Sequence, residues 1–266
     1  MNWFVNVFLV ETANGLVLVD GAIATSAADD IRALIRRIGK PLLAVLVTHG
    51  HPDHYTGIGA IVGQADVPIL ATRGAMTVIE LRERTEGAVM AQMFGADYPS
   101  HKRLPNRFVV DGEQVTFDGV AFRLTEYGPC ESDADAVWDV TLGGIRHVFA
   151  ADLVYNHMHA FVRDGHLRTW LTQLDRLQAA YDVDTVFHTG HGPDFGIELI
   201  AWQRAYLEMF RHSVRELLNG SDALDTAARQ TLLAKQQSFL PNDNLIFLAQ
   251  FELEKTVELL RADGAV

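Results

Sequence analysis

The sequence predicts an α/β fold in which two β-sheets pack face to face and helices cover both outer faces. Three observations favour this fold. A series of strand-length apolar segments followed by a helical segment occurs twice along the 266 residues, once in each half. The segment "LLAVLVT", residues 42–48, is apolar throughout, as is typical of a strand covered on both sides. Hydrophobic residues make up 48% of the chain, which is enough for one large core.

The first half begins with a predicted β-hairpin. The apolar runs "VNVFLV" and "GLVLVD" are separated by "ETANG", whose Asn-Gly pair favours a tight turn. Ser26 is then predicted to cap the amphipathic helix "AADDIRALIRRIG", which Gly39 ends. Beyond the strand at residues 42–48, the pattern predicts a short helix in "GIGAIVGQ", a strand in "VPILAT" and one long helical region from Ala75 to Phe94.

The second half follows a polar stretch, "GADYPSHKRLPN", and restarts with strands. Five apolar segments are predicted as strands: "RFVV", "EQVTF", "VAFRLTEY", "AVWDVTL" and "IRHVFAA". A helix in "TWLTQLDRLQAAY" and a strand in "DTVFHT" follow, and the rest is predicted to be helical. We therefore predict a single domain over residues 1–266, with a core at about residues 5–195 and a C-terminal helical extension at about residues 196–266.

The composition excludes several classes of partner. A formal net charge of -12 disfavours binding to nucleic acid or to an anionic membrane. Cys130 is the single cysteine, so no intrachain disulfide can form and nothing indicates an oxidising compartment. The N-terminal run has no Lys or Arg before its apolar residues, which favours a strand over a signal peptide. We predict a cytoplasmic protein that acts on a small-molecule substrate.

A cluster of metal-ligand residues directly follows the strand at residues 42–48. Three histidines and an aspartate, His49, His51, Asp53 and His54, fall within six residues. Neutral imidazole nitrogen and carboxylate oxygen are natural ligands of Zn, Fe and Mn. In an extended segment His49 and His51 share one side, whereas Pro52 turns the next two ligands toward a second point. The segment therefore favours two adjacent metal ions over one.

The pattern His-x-His-x-Asp-His resembles the signature of the metallo-β-lactamase superfamily. Three further motifs strengthen the resemblance: "GLVLVDGA" is similar to the opening hairpin, "FAADLVYN" to the strand that ends in a bridging aspartate, and "HTGHGP" to the last ligand loop. They place the bridging aspartate at Asp152 and the last ligand at His191. The resemblance, from about residue 5 to about residue 195, implies a four-layer αββα sandwich with a dinuclear metal site, here with extra C-terminal helices.

One motif departs from the family pattern. Where the family carries a histidine after Pro-Gly, this chain reads "EYGPCESDADAVW", which places Glu131 at the histidine position. We interpret Glu131 as an oxygen ligand, because a carboxylate is a competent metal ligand. A thiolate ligand at Cys130 and loss of the first metal site are the alternatives.

The resemblance implies a complete ligand set for two divalent metal ions, with Zn expected and Fe or Mn as competitors. One ion would be held by His49, His51 and Glu131. The other would be held by Asp53, His54 and His191, and Asp152 would bridge the two. Three carboxylates and a bridging hydroxide would neutralise the two cations. Such a centre is expected to be a weaker Lewis acid whose hydroxide is a better base.

The predicted function is metal-dependent hydrolysis of a small molecule. A metal-bridging hydroxide would attack an ester, lactone, thioester or amide carbonyl, with Asp53 and Tyr155 as catalytic residues and Tyr155 donating to the developing oxyanion. Two alternatives remain open: an iron-dependent oxidoreductase similar to sulfur dioxygenases on the same fold, and a non-catalytic metal-binding scaffold. The C-terminal helices are expected to act on substrate access or on homodimer formation.

Overall fold

The computed structural model describes residues 4–266. Contacts divide this part of the chain into two compact units. The first unit comprises residues 5–128 and 134–150, and the second comprises residues 4, 129–133 and 151–266. The prediction of one domain over residues 1–266 stays a prediction.

Strands and helices alternate along the described residues. The strands are β1 (Phe8–Glu11), β2 (Leu16–Val19), β3 (Leu42–Leu46), β4 (Ile69–Ala71), β5 (Arg107–Phe108), β6 (Gln114–Phe117), β7 (Val120–Gly128), β8 (Asp135–Leu142), β9 (Ile145–Ala151) and β10 (Val186–Thr189). The helices are α1 (Thr25–Ile38), α2 (Pro52–Tyr55), α3 (Ile58–Val62), α4 (Arg73–Thr85), α5 (Gly87–Phe94), α6 (Leu167–Ala180), α7 (Glu198–Leu218), α8 (Thr226–Phe239), α9 (Ile246–Gln250) and α10 (Leu253–Ala262).

The first sheet of the first unit has the order β1-β2-β3-β4-β5. β1 and β2 are antiparallel, and the backbone N–H of Thr12 donates to the carbonyl of Gly15 at 2.9 Å, so the predicted hairpin is present. The remaining neighbours are parallel. β5 was expected to open the second half, but it pairs with β4 through Leu70 and Arg107. An apolar segment predicts that a strand forms but not which sheet the strand joins. The expectation that β5 belongs to the second sheet was therefore wrong.

The second sheet of this unit contains the antiparallel series β9-β8-β7-β6. Its inner face packs against the inner face of the first sheet. Leu46 and Leu70 from the first sheet share one buried cluster with Phe122, Trp138 and Phe149 from the second. The face-to-face packing of two sheets therefore follows the sequence expectation, and burial of these large apolar side chains is its main stabilisation.

Helices cover the other face of the first sheet. Ala28 of α1, Ile58 of α3 and Ile79 of α4 form a second buried cluster with Val45 and Ile69 of the sheet. This layer holds α4 against the strand that leads to the histidine cluster.

Two predictions about these helices were wrong in detail. Ser26 lies inside α1, whose N-cap is Ala24, and its backbone N–H and hydroxyl donate to Asp97 at 2.8 and 2.7 Å. The helical region from Ala75 to Phe94 is two helices separated by Glu86. Gly87 is the sequence feature that favours this break, because a glycine in the interior of a helix destabilises it by about 1 kcal/mol relative to alanine.

The second unit contains β10 and the helices from α6 onward. The backbone N–H of Gly190, after β10, donates to the carbonyl of Ala151 at 3.0 Å. The indole N–H of Trp170 on α6 donates to the carbonyl of Leu153 at 2.9 Å, which fixes the chain just after Asp152. The C-terminal helices predicted from the sequence are α7 to α10. Across residues 4–266, no helix combines the length and apolar character that crossing a membrane requires.

Candidate metal centre

The histidine cluster occupies the turn between β3 and α2 in the first unit. His51 is extended, with φ −78° and ψ 147°, and Pro52 starts α2, so Asp53 and His54 lie on its first turn. The His49 ring centroid lies 5.0 Å from that of His51 and 4.1 Å from that of His54. All four predicted ligands of this segment are buried. Three imidazoles and a carboxylate thus converge in a site largely shielded from water.

Asp20 fixes the orientation of His54. Its Oδ2 lies 2.8 Å from Nδ1 of His54, and the backbone N–H and hydroxyl of Thr48 both donate to the same carboxylate at 2.9 Å. A carboxylate accepts, so Nδ1 of His54 carries the hydrogen and Nε2 keeps the lone pair that a metal needs. Asp20 is not among the ligands predicted from the sequence. The Asp-Gly pair that follows β2 is the sequence feature that marks this position.

Helix α4 packs directly on the histidine turn. A Cβ added at Gly50 would lie 2.6 Å from Cβ of Val78, so only glycine fits there. The hydroxyl of Tyr55 donates to Glu83 at 2.7 Å. Burial and then the neighbouring Glu83 raise the pKa of Tyr55, which keeps this phenol protonated as a donor.

The same helix brings Arg82 to His51. Nη2 of Arg82 lies 3.3 Å from Nε2 of His51, and the guanidinium is also paired with Glu86. A guanidinium only donates, so Nε2 of His51 accepts and its hydrogen is on Nδ1. His51 must release this contact or change tautomer to give a nitrogen to a metal. Nothing in the sequence around Arg82 indicates a contact with His51, so the sequence does not predict Arg82 as part of the site.

The other predicted ligands lie together in the second unit around Tyr155. Its hydroxyl is 3.0 Å from Oε1 of Glu131 and 2.9 Å from Oδ2 of Asp152. Nε2 of His191 is 3.1 Å from the same Asp152 oxygen, and the Tyr155 and His191 rings stack with centroids 5.1 Å apart. All four side chains are buried.

The chemistry of this donor set fits a divalent cation. One phenolic hydrogen serves one acceptor at a time, so Glu131 and Asp152 compete for Tyr155 and repel each other in a buried environment. Nδ1 of His191 bonds the carbonyl of Phe4 and therefore carries the hydrogen. Its Nε2 lies 3.1 Å from Oδ2 of Asp152, so this nitrogen and the carboxylate are close enough to bind one cation together.

Glu131 and Cys130 differ in their surroundings. Among residues 4–266, the groups of His, Cys, Asp and Glu that could hold a metal ion contain all seven predicted ligands and do not contain Cys130. Cys130 is buried, and its backbone N–H donates to the carbonyl of Ser132 at 3.0 Å. This favours Glu131 over Cys130 as the variant ligand, whose assignment stays a prediction.

Residues 2–191 match the family model of the metallo-beta-lactamase superfamily. The chain belongs to this superfamily. The match covers the histidine turn and extends to His191, and it confirms the resemblance drawn from the motifs. Membership supports binding of a divalent metal and a hydrolytic activity.

Four of the curated relatives that the chain matches are named as alkylsulfatases or alkyl/aryl-sulfatases. The chain is 25% identical over 258 residues to the alkyl/aryl-sulfatase BDS1 of Saccharomyces cerevisiae, which covers 80% of this chain and 39% of that protein. It is 29% identical over 130 residues to an (R)-specific secondary-alkylsulfatase of Pseudomonas sp, covering 45% and 18% of the two chains. The chain thus spans less than half the length of these relatives.

Solved structures agree on the fold. A metallo-beta-lactamase family protein from Thermus thermophilus has a TM-score of 0.69 at 21% identity, covering 98% of this chain and 89% of that chain. A beta-lactamase domain protein from Burkholderia ambifaria has a TM-score of 0.68 at 20% identity, covering 97% and 82%. The fold is the αββα sandwich of the metallo-β-lactamase type with extra C-terminal helices, as predicted.

Proposed function

We propose that this protein is a metal-dependent hydrolase that cleaves an ester of a small molecule. The observation that carries the proposal is the buried group in which Glu131 and Asp152 share the hydroxyl of Tyr155 beside His191. Two carboxylates placed in this way suit a site for cations better than a structural hydrogen-bond network. Together with the histidine turn, this group would supply a donor at each ligand position of the family pattern, with Glu131 in place of a histidine.

In the proposed centre the seven ligands keep the roles that the motifs imply. His49, His51 and Glu131 would hold one metal, and Asp53, His54 and His191 would hold the other. Asp152 would be shared by both. Divalent metals supply Lewis acidity and lower the pKa of water when bound in such a set. Zn is the proposed metal, and the oxygen-rich donors make Mn and Fe its competitors.

The protein's own side chains have three tasks in this proposal. Asp20 and Thr48 hold the tautomer of His54, so that its Nε2 is always available. Tyr155 donates its hydroxyl hydrogen to negative charge that develops on the substrate. Asp53, buried next to His54, takes up the proton released by the attacking water and returns it to the leaving group.

Sulfate esters of alkyl or aryl alcohols are the first substrate class in this proposal. The support is that four curated relatives are sulfatases that act on such compounds, although the chain spans only part of each. Carboxylic esters, lactones, thioesters and amides form the second class. Both classes require attack of an activated water and stabilisation of a developing negative oxygen.

Metal analysis combined with hydrolysis assays tests the proposal. The protein is stripped of metal, reconstituted separately with Zn, Mn and Fe, and assayed with decyl sulfate, 4-nitrophenyl sulfate, 4-nitrophenyl acetate and a lactone series. We expect two metals per chain and hydrolysis that a chelator abolishes. His188→Gln is a matched control, since His188 pairs with Asp194 and is not a proposed ligand. One iron per chain with oxygen-dependent oxidation would contradict hydrolysis, and absence of metal would favour a scaffold.

A further inference from the structure

A buried histidine lies in the segment that follows Asp152. We call residues 155–160 the Tyr155 loop. His159 is fully buried; its Nδ1 lies 2.9 Å from the hydroxyl of Tyr206 on α7, and its Nε2 lies 2.9 Å from the carbonyl of Asn242. A carbonyl only accepts, so Nε2 carries the hydrogen and Nδ1 accepts from Tyr206. Burial lowers the pKa of His159, which favours this neutral form.

The hydrogen bonds continue into the C-terminal helices. Nε2 of Gln236 on α8 donates to the Tyr206 hydroxyl at 3.2 Å, and Nε2 of Gln250 on α9 donates to Oε1 of Gln236 at 2.6 Å. His159 is thus the end of one buried polar chain that joins α7, α8 and α9. A buried network of this kind holds one arrangement, because each broken bond leaves a polar group without compensation.

Further contacts hold the same loop from the C-terminal side. The side-chain amide of Asn242 donates to the carbonyl of His157 at 3.1 Å, and the backbone N–H of His159 donates to the carbonyl of Asn244 at 3.0 Å. His157 has a φ of 55°, a left-handed conformation that costs a non-glycine residue roughly 1–2 kcal/mol. The backbone N–H of Tyr155 donates to Oε1 of Gln203 on α7 at 3.3 Å.

We propose that His159 and Asn242 are positioning residues for Tyr155, and that residues 240–244 brace the Tyr155 loop. The inference rests on the proposed function, in which the Tyr155 hydroxyl acts on substrate. A donor must be held within about half an ångström to act on developing charge, and the loop's left-handed residue cannot supply that rigidity by itself. The C-terminal helices would therefore contribute to turnover rather than to substrate entry or dimer formation.

Three variants of the full-length holoenzyme test this role. His159→Leu removes both side-chain hydrogen bonds of His159, and His159→Gln can restore a donor and an acceptor. Asn242→Ala removes two side-chain bonds, the one to the carbonyl of His157 and the one that its Oδ1 accepts from the backbone N–H of Asn244 at 2.9 Å. Gln237→Ala is the matched control, because Gln237 bonds Asp243 on the exposed side of the same region. Hydrogen exchange by mass spectrometry is measured on peptides covering the Tyr155 loop, together with metal content.

We expect exchange in the Tyr155 loop to rise about tenfold in His159→Leu and Asn242→Ala, equivalent to roughly 1.4 kcal/mol, and to return toward wild type in His159→Gln. With the ester that the wild type hydrolyses best among those named above, kcat should fall about tenfold while KM and metal content stay within twofold. Unchanged exchange in both variants would overturn the brace. Faster exchange with unchanged kcat would overturn the positioning of Tyr155.

Ester hydrolysis and bracing of the Tyr155 loop have separate readouts. If the wild type hydrolyses none of the esters, the proposed function fails, and exchange alone decides whether residues 240–244 brace the loop. If His159→Leu does not fold, Asn242→Ala gives the decision, since it truncates a half-buried side chain and leaves the buried His159 in place. Equal exchange in Gln237→Ala and Asn242→Ala would mean that the whole segment was loosened nonspecifically, which would overturn the assignment to these residues.

Discussion

In the proposed centre, Glu131 takes the place of a histidine ligand of the first metal. Its carboxylate bonds the Tyr155 hydroxyl at 3.0 Å, whereas Cys130 lies outside the groups of described residues that could hold a metal. Glu131→Gln should lower the occupancy of one metal, because an amide oxygen is neutral and a poorer donor. Metal stoichiometry of Glu131→Gln and Cys130→Ser checks this. Full occupancy in Glu131→Gln with loss in Cys130→Ser would make the thiolate the ligand.

Asp20 acts through His54, and its replacement should weaken metal binding without removing a ligand. Loss of such a partner typically costs 10–100-fold in metal affinity, so about tenfold is expected for Asp20→Asn. Competition with a chromogenic chelator measures the change. Asp29→Asn is the control, because Asp29 is exposed and pairs only with Arg32 among the ion pairs described. Equal affinities of the two variants would show that Asp20 has no part in the centre.

Arg82 should oppose metal binding at His51. Its guanidinium contacts the ring nitrogen at 3.3 Å and carries a positive charge that repels a cation nearby. Arg82→Met removes that charge and leaves Glu86, so metal affinity should rise about tenfold, equivalent to roughly 1.4 kcal/mol. Arg84→Met on the exposed face of α4 is the matched control. A weaker metal affinity in Arg82→Met would mean that the guanidinium supports the ligand instead.

At the scale of elements, sequence patterns identified the kind of each element more reliably than its partners. The predicted β1–β2 hairpin is present, with residues 12–15 as a four-residue loop in place of a tight Asn-Gly turn. Helix α1 ends at Gly39, which has a φ of 78°. The pairing of β5 with β4 and the break at Glu86 follow from tertiary contacts, which a local pattern does not contain. Likewise, motif spacing predicts the candidate ligands, whereas Asp20 and Arg82 reach the candidate site only through folding.

Packing of α4 on the histidine turn gives a test of that element. Gly50→Ala places a methyl 2.6 Å from Val78 and 2.9 Å from the carbonyl of Ala75. Overpacking of this kind typically costs about 1–3 kcal/mol, and it should also weaken metal binding by displacing the turn. Gly87→Ala is the control at the start of α5, where the nearest atom is 3.6 Å away and little change or a small gain is expected. Urea unfolding with metal titration measures both, and unchanged values in Gly50→Ala would show that α4 adapts freely.

At the scale of the whole molecule, the buried His159 predicts a response of stability to pH. Because burial lowers the pKa of His159 in the folded protein, the unfolded chain binds a proton more readily. This contribution to stability is fully present above the pKa of His159 in the unfolded chain, about 6.5. It is lost as the pH falls toward the lower pKa of His159 in the folded protein. His159→Gln should reduce the slope of unfolding free energy with pH below 6.5 by up to about 1.4 kcal/mol per pH unit. Urea unfolding at several pH values checks it, and an unchanged slope would contradict it.

The order in which the chain is synthesised determines when His51 can meet Arg82 and when it can meet the other candidate ligands. Arg82 follows His51 by 31 residues, whereas His191 follows it by 140. At roughly 5–20 residues per second, the ribosome finishes α4 within several seconds of the histidine turn but takes about 7 to 28 seconds to reach His191. Arg82, in the same unit, is thus a cationic partner of this imidazole that is synthesised well before His191. A newly made chain would therefore have a positive charge beside His51 before the candidate ligands Glu131, Asp152 and His191 have been synthesised.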